Sequence, residues 1–268
     1  MYKLGINYCK EAGLSQKEAL SLYKNLGFDN VFSISSQDGE DVFTIAKEAY
    51  ENDLFYECIH ASWRGINHIW EKGYDGDETE KRLIGAVDDC KSLGVPITVM
   101  HLSSGENAPC VTDEGKKRFD RIVDKACKSG ITIAFENQRK LANLAFVMEI
   151  YANVENVGFC WDVGHEKCFA HGREFMPLFS DKLCFTHIHD NLCEHNRDLH
   201  RLPFDGKIDY EKVASHIVKS GYKGSLTLEV MPHDKEFYKN ITAGEYYKRA
   251  YEAILKIREM CISFEKRI

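Results

Sequence analysis

Residues 186–200 read THIHDNLCEHNRDLH, four histidines and two aspartates in fifteen positions directly after the apolar lead-in KLCF. Imidazole and carboxylate at this density can serve a polar loop or one edge of a divalent-cation site. Further ionisable residues stand at or just after the ends of apolar runs elsewhere: His60 after FYECI, His101 after ITVM, Glu136 in ITIAFEN, Asp162 in VGFCWD and Glu229 in SLTLEV. Any one of them alone reads as a solvated cap or a salt-bridge partner. Gathering several carboxylates in a partly desolvated place is costly unless a cation neutralises them. A donor set of histidine and carboxylate without thiolate suits manganese, zinc, cobalt or magnesium. The expected core site is Glu136, Asp162, His187 and Glu229 around one divalent ion (Mn, Zn, Co or Mg).

These residues need elements to carry them. Eight short β-branched or aromatic runs recur along the chain, near residues 5, 33, 58, 100, 134, 160, 187 and 228, each followed by a stretch of helical period. Helix candidates include SQKEALSLYKNLG, DETEKRLIGAVDDCKSLG, TDEGKKRFDRIVDKACKSG and DYEKVASHIVKSG. Each opens on Ser, Thr or Asp, which can cap free N–H groups, and closes on a Gly able to turn left-handed. Eight βα units without a linker, low-complexity tract or composition break predict an α/β fold, a (β/α)8 TIM barrel, with residues 1–268 as a single domain. A doubly wound open sheet is the competitor, but GINYCKEAG after the first run carries no glycine-rich phosphate fingerprint.

Strand alternation then sorts side chains by face. Thr132, Ala134 and Glu136 point inward, as do Gly158, Cys160 and Asp162, and Ser225, Thr227 and Glu229. His187 and His189 share a face, and either reaches inward. The ionisable residue in each row falls at the C-terminal rim, where barrel enzymes keep their chemistry.

Composition narrows the function classes. The 268 residues are 44% hydrophobic and 12% aromatic, enough for a large core, and 35 Lys+Arg against 42 Asp+Glu give a formal charge of −7. That field repels nucleic acid and anionic membranes, so a nucleic-acid partner is not expected. No apolar run approaches the roughly 20 residues of a membrane span. Ten cysteines are scattered singly without C-x-x-C pairs, and the opening MYKLGINYCK has no signal-peptide core, so a reducing cytoplasm is expected. Cys58, Cys160 and Cys184 read as small buried hydrophobes. A homo-oligomer is compatible with the sequence.

The stretches IHAS, MHLSSG, IAFENQ, FCWDVGH, HIHDN, DLHRLPFDGKID and LTLEV, spread in order from residue 59 to 230, resemble the xylose-isomerase-like TIM-barrel superfamily. That superfamily holds sugar phosphate isomerases and epimerases and the endonuclease IV type of AP endonucleases. In the sugar branch the resemblance implies a single divalent ion on Glu136, Asp162, His187 and Glu229, with His165 binding substrate. In the endonuclease branch it implies further ligands at His60, His101, His165, Asp198 and His200, and up to three zinc ions. All these residues are present. The chain departs from its relatives where they often carry Gly-x-Gly after the D-x-H pair: here PFDGK keeps only Gly206.

The expected activity is a metal-dependent sugar or sugar-phosphate isomerase or epimerase, working by proton transfer through an ene-diolate. Glu136 and Glu229 are the expected proton-transfer residues. The segment HASWRGINHIW reads either as a lid, in which Trp63 offers an aromatic face to the sugar and Arg64 a guanidinium to phosphate or carboxylate, or as a surface segment with Arg64 in an ion pair. Trp70 reads as ordinary packing. His195, Asp190 and Asn191 are expected to stabilise their loop. The alternatives are a dehydratase or lyase on a polyol or keto sugar, an endonuclease IV-like phosphodiester hydrolase, and a barrel that binds a metabolite without turnover.

Overall fold

Every one of the eight apolar runs becomes a strand. In the computed structural model, which describes residues 1–267, these are β1 (Leu4–Asn7), β2 (Asn30–Ile34), β3 (Phe55–His60), β4 (Ile97–Met100), β5 (Thr132–Glu136), β6 (Val157–Asp162), β7 (Leu183–His187) and β8 (Leu226–Leu228). They form one eight-stranded parallel sheet in the order β7-β6-β5-β4-β3-β2-β1-β8. Just past β7, Ile188 bridges to Leu228 of β8 and brings the two ends of that order together. This is the expected TIM barrel. His60, Glu136, Asp162 and His187 are the last residues of their strands, whereas His101 and Glu229 lie one residue beyond theirs.

The interleaved helices are α1 (Gln16–Leu26), α2 (Val42–Glu51), α3 (Tyr74–Leu93), α4 (Asp113–Ser129), α5 (Leu141–Ile150), α6 (Val163–Phe169), α7 (Met176–Phe179), α8 (Tyr210–Lys219), α9 (Lys235–Tyr238) and α10 (Ala243–Glu265). Three expected caps form: Ser15 makes a reciprocal capping box with Glu18, Thr112 accepts from Gly115 N, and Asp209 accepts from Glu211 N and Lys212 N. The fourth does not. α3 begins at Tyr74 behind Gly73, with no side-chain cap, because Asp77 turns instead to the buried guanidinium of Arg118, 2.8 Å away. At the far end of α8 the cap residue is Ser220, with the left-handed glycine, Gly221, one residue later.

The chain divides into two compact units. The first comprises residues 1–32, 47–56 and Trp161 onward; the second comprises residues 33–46 and 57–160. Inside the first, the inward row of β8 packs on small polar neighbours: Asn30 Nδ2 donates to Ser225 Oγ (2.5 Å) and Thr186 Oγ1 to Ser225 O (3.1 Å). Inside the second, the segment after β3 is pinned from below. Trp70 is buried and its Nε1 donates to Leu102 O (2.6 Å), while Arg118, 1% exposed, donates to the carbonyls of Ile69 (2.9 Å), Glu71 and Gly73 (3.4 Å). Those bonds satisfy carbonyl groups in the short 3-10 helix Ile66–Trp70 and the turn that follows it. Among the described residues no helix is long and apolar enough to cross a membrane.

Candidate metal centre

The second unit gathers three of the expected residues. Glu136 Oε2 lies 3.2 Å from His60 Nε2 and 2.7 Å from His101 Nε2, and all three side chains are at least seven-eighths buried. Their donor atoms lie within 4.8 Å of one another. His60 Nδ1 stands 2.8 Å from Ala61 O, so that nitrogen carries the proton and donates to the carbonyl. Nε2 of a neutral ring then aims a lone pair at a carboxylate oxygen, a contact that is repulsive unless a proton or a cation sits between them. A ring held by its far nitrogen on a backbone carbonyl is also how metal-ligating histidines are oriented.

The first unit repeats this arrangement with more residues. His200 Nδ1 donates to Glu229 O (3.0 Å) and leaves Nε2 facing Asp198 Oδ2 (3.1 Å), which also lies 3.1 Å from His165 Nε2. Burial works against a charge on His200, but the carboxylates around it, Asp198 first and then Glu229 and Asp162, together outweigh burial and push the imidazole up to about 10. Burial likewise opposes the Asp198 charge, yet His200 and His165 hold that carboxyl well below the usual range. In the absence of a metal, a proton does the neutralising. Asp198 Oδ1 is buried without a hydrogen-bond partner, as is His189 Nδ1. The donor atoms of His165, His189, Asp198 and His200 fall within 4.8 Å of one another, and so do those of Asp162, His187 and Glu229. The residues therefore fit a cation.

Asp162 caps α6 by accepting from His165 N (2.6 Å), which ties the end of β6 to the histidine three residues later. His187 Nδ1 is 3.4 Å from Glu229 Oε2, and its ring stacks on Phe32 at 4.9 Å. Both histidines of HIHDN face the carboxylates, because the extended backbone continues past β7. His189 Nε2 is 3.0 Å and 3.2 Å from the two oxygens of Asp162, and its ring stacks on His200 at 4.0 Å. Gly164 makes room for it, since a Cβ there would come within 1.9 Å of the ring.

The long loop that carries Asp198 and His200 is organised by Asp190. Its fully buried carboxylate accepts from four backbone N–H groups: Asn191 (2.8 Å) and Ile208 (3.1 Å) on Oδ1, Phe204 (3.0 Å) and Gly206 (3.1 Å) on Oδ2. Asn191 adds bonds to Gly164 O (2.9 Å) and from Cys193 N (2.8 Å). These two residues stabilise the loop as expected; His195 is exposed, 3.1 Å from Asn196 Nδ2, with its ring 4.2 Å from that of His171. The retained Gly206 is required, since a Cβ there would lie 2.2 Å from Asp190 Oδ1. Phe204, two residues earlier, takes φ 73°.

Trp63 is 37% exposed and lies against His60 (5.4 Å, edge-on) and His101 (5.9 Å). Arg64 pairs through Nε with the buried Asp38 at 2.9 Å. Sequence reasoning missed Gln138, whose Nε2 is 3.2 Å from His101 Nε2, and left His189 open. The signal for Gln138 was its place two residues after Glu136; that for His189 was its sharing a face with His187. All ten cysteines are free; Cys58 and Cys160 are buried as expected, Cys184 only partly, and none enters these groups among the described residues.

An uncharacterized protein of Sinorhizobium fredii is 27% identical to this chain over 292 residues, covering 94% of this chain and 91% of the relative. Among solved structures, an L-ribulose 3-epimerase superposes with a TM-score of 0.76 at 16% identity, covering 100% of this chain and 97% of that one. The IOLI protein, solved with a bound zinc atom, superposes at 0.74 and 20% identity, covering 95% and 97%. These two likenesses carry the fold. The family model described as xylose isomerase-like TIM barrel matches residues 20–257, and with the strand order agreeing, the chain belongs to that family.

Proposed function

We propose that this chain is a single-domain, divalent-metal-dependent isomerase or epimerase of a sugar or sugar phosphate, holding its ion on Glu136, Asp162, His187 and Glu229. The observation that carries the reading is the pair of imidazoles, His60 and His200, each tied by Nδ1 to a backbone carbonyl while Nε2 faces a buried carboxylate. The structural similarity to an L-ribulose 3-epimerase and to a D-tagatose 3-epimerase-like protein supports the substrate class, and the zinc-bound IOLI structure supports a metal. Bound there, a divalent ion would act as a Lewis acid, stabilising negative charge that develops on substrate oxygen.

The chain's own residues do the rest. Glu136 and Glu229, as proton-transfer groups, take a proton from the carbon beside the substrate carbonyl and return one; epimerisation needs both, and isomerisation can use one. His60 and His101 orient the Glu136 carboxylate through Oε2. His165, fixed on Asp198, directs its ring at a substrate oxygen. Asp162 and His187 hold the ion. The free cysteines and the absence of a spanning helix among the described residues support a cytoplasmic location.

Incubation of the metal-loaded protein with a ketose panel in D2O tests this. Deuterium should appear next to the carbonyl, and Glu136→Gln and Glu229→Gln should each lower turnover by about 10²–10⁴-fold. No exchange with any ketose overturns the assignment. Loss of a hydroxyl with the exchange would instead identify the dehydratase or lyase alternative.

A second reading rests on the two further ligand groups, His60–His101–Glu136 and His165–His189–Asp198–His200, which give the chain places for more than one ion. Three ions per chain together with cleavage of abasic DNA would favour phosphodiester hydrolysis. The charge of −7 weighs against it.

A further inference from the structure

The segment after β3 carries Arg64, next to Trp63, which lies against the candidate ligands His60 and His101. Arg64 is 70% exposed, yet its direction is fixed: Nε pairs with Asp38 Oδ1 at 2.9 Å, and that carboxylate is only 2% exposed. Asp38 is held in turn by Ser62 Oγ (3.0 Å) and Ser35 Oγ (3.4 Å). The two terminal amino groups of Arg64 have no acceptor among the described residues, so the guanidinium presents a fork. Arg82 donates through Nη2 to Arg64 O (2.8 Å) and Thr79 Oγ1 (2.8 Å), both neutral oxygens, and pairs with no carboxylate. Arg64 and Arg82 are thus neighbouring guanidiniums, of which Arg64 pairs with the Asp38 carboxylate while the acceptors of Arg82 are neutral. Trp63, the neighbour of Arg64, lies against His60 and His101, the ligands in the same unit.

We propose that Arg64, aimed by Asp38 and backed by Arg82, is a subsite for the anionic group of the substrate, a phosphate or carboxylate at the end of a keto sugar whose C–H face rests on Trp63. A planar fork matches either anion. This inference deepens the sugar reading and rests on it. Under it the substrate class is an acidic or phosphorylated ketose, and neutral ketoses are poor ligands.

The test is calorimetric binding to the metal-loaded protein of D-fructose, D-fructose 6-phosphate and a keto sugar acid, with inorganic phosphate as a fourth probe. The anionic ketoses should bind about 10- to 100-fold more tightly than D-fructose. Arg64→Gln should collapse that preference to about one, and Arg64→Lys should restore part of it. Whichever of phosphate or carboxylate binds tighter identifies the source of the anion. Equal binding of neutral and anionic ketoses by the unaltered protein overturns the proposal, as does a preference that survives Arg64→Gln. If no ketose binds while inorganic phosphate binds in an Arg64-dependent way, the anion subsite stands and the sugar reading falls. Because Trp70 and Trp161 are 2% and 1% exposed, a fluorescence change abolished by Trp63→Phe is an independent readout at this position.

Discussion

The ligand group on β3–β5 and the one carried by the loop after β7 use the same chemistry on different supports. His60 and Glu136 end strands, His101 follows one, and none of the three has a positive φ. The loop group depends on a segment in which Cys193, Asn196, His200 and Phe204 all take positive φ, four of the six such non-glycine residues in the described chain. Backbone of that kind costs roughly 1–2 kcal/mol per residue and persists only where its surroundings over-determine it. Here the surroundings are Asp190 and its four N–H donors. Strand ends provide ligand geometry through the sheet itself, whereas a loop ligand needs a dedicated internal anchor.

The sharpest way to break the contrast is Asp190→Ala. It leaves buried N–H groups unpaired and should destabilise the protein by about 3–5 kcal/mol, read as a lower urea midpoint. Metal affinity at the loop group should fall with it, while His60, His101 and Glu136 keep theirs; an unchanged midpoint would show that the loop supports itself.

The His200–Asp198 pair gives a pH signature. The folded imidazole is raised from 6.5 to about 10, so its contribution is complete below the unfolded value and disappears as pH climbs through about 10. The metal-free protein should therefore lose stability from about pH 6.5 upward, and Asp198→Asn should flatten that slope. Since a ligating imidazole must be neutral, metal loading should release protons and tighten with rising pH, measurable by calorimetry in buffers of different ionisation enthalpy. Binding without proton release would leave the ion on Glu136, Asp162, His187 and Glu229 and remove His200 from the further group of the second reading.

Gly164→Ala has a smaller expected effect. The new methyl collides with His189, for about 1–3 kcal/mol of destabilisation and displacement of the His189–His200 stack. Smallest of all is Phe204→Gly, where relief of the left-handed backbone offsets lost contacts with Tyr210 (4.8 Å) and Lys256 (5.5 Å), and the midpoint should move by less than about 1 kcal/mol. A shift well beyond that would show that Phe204 anchors the loop rather than straining it.

Much of the strand-borne group was legible because side chains alternate with period two, so an acid at the end of an apolar run has a defined face. Glu136 and Asp162 were read that way, and HIHDN already put His187 and His189 on one side. The helix starts were legible where a single side chain closes the first turn, as at Ser15, Thr112 and Asp209. Asp77 looked like another, but a capping site is a local signal and Arg118 is 41 residues away. The role of Asp190 was visible only as loop stabilisation, since its donors lie up to 18 residues further on.

The order of strands and helices, the barrel class and the strand-end positions of the candidate ligands were legible in the sequence alone, because hydrophobic period and strand alternation are local properties of the chain. Tertiary structure decided which histidine nitrogen faces a carboxylate, that His189 joins the loop group, and that Asp38 aims Arg64. Each of those depends on a partner brought close by folding rather than by adjacency, and hydrogen-bond geometry falls off within a fraction of an ångström.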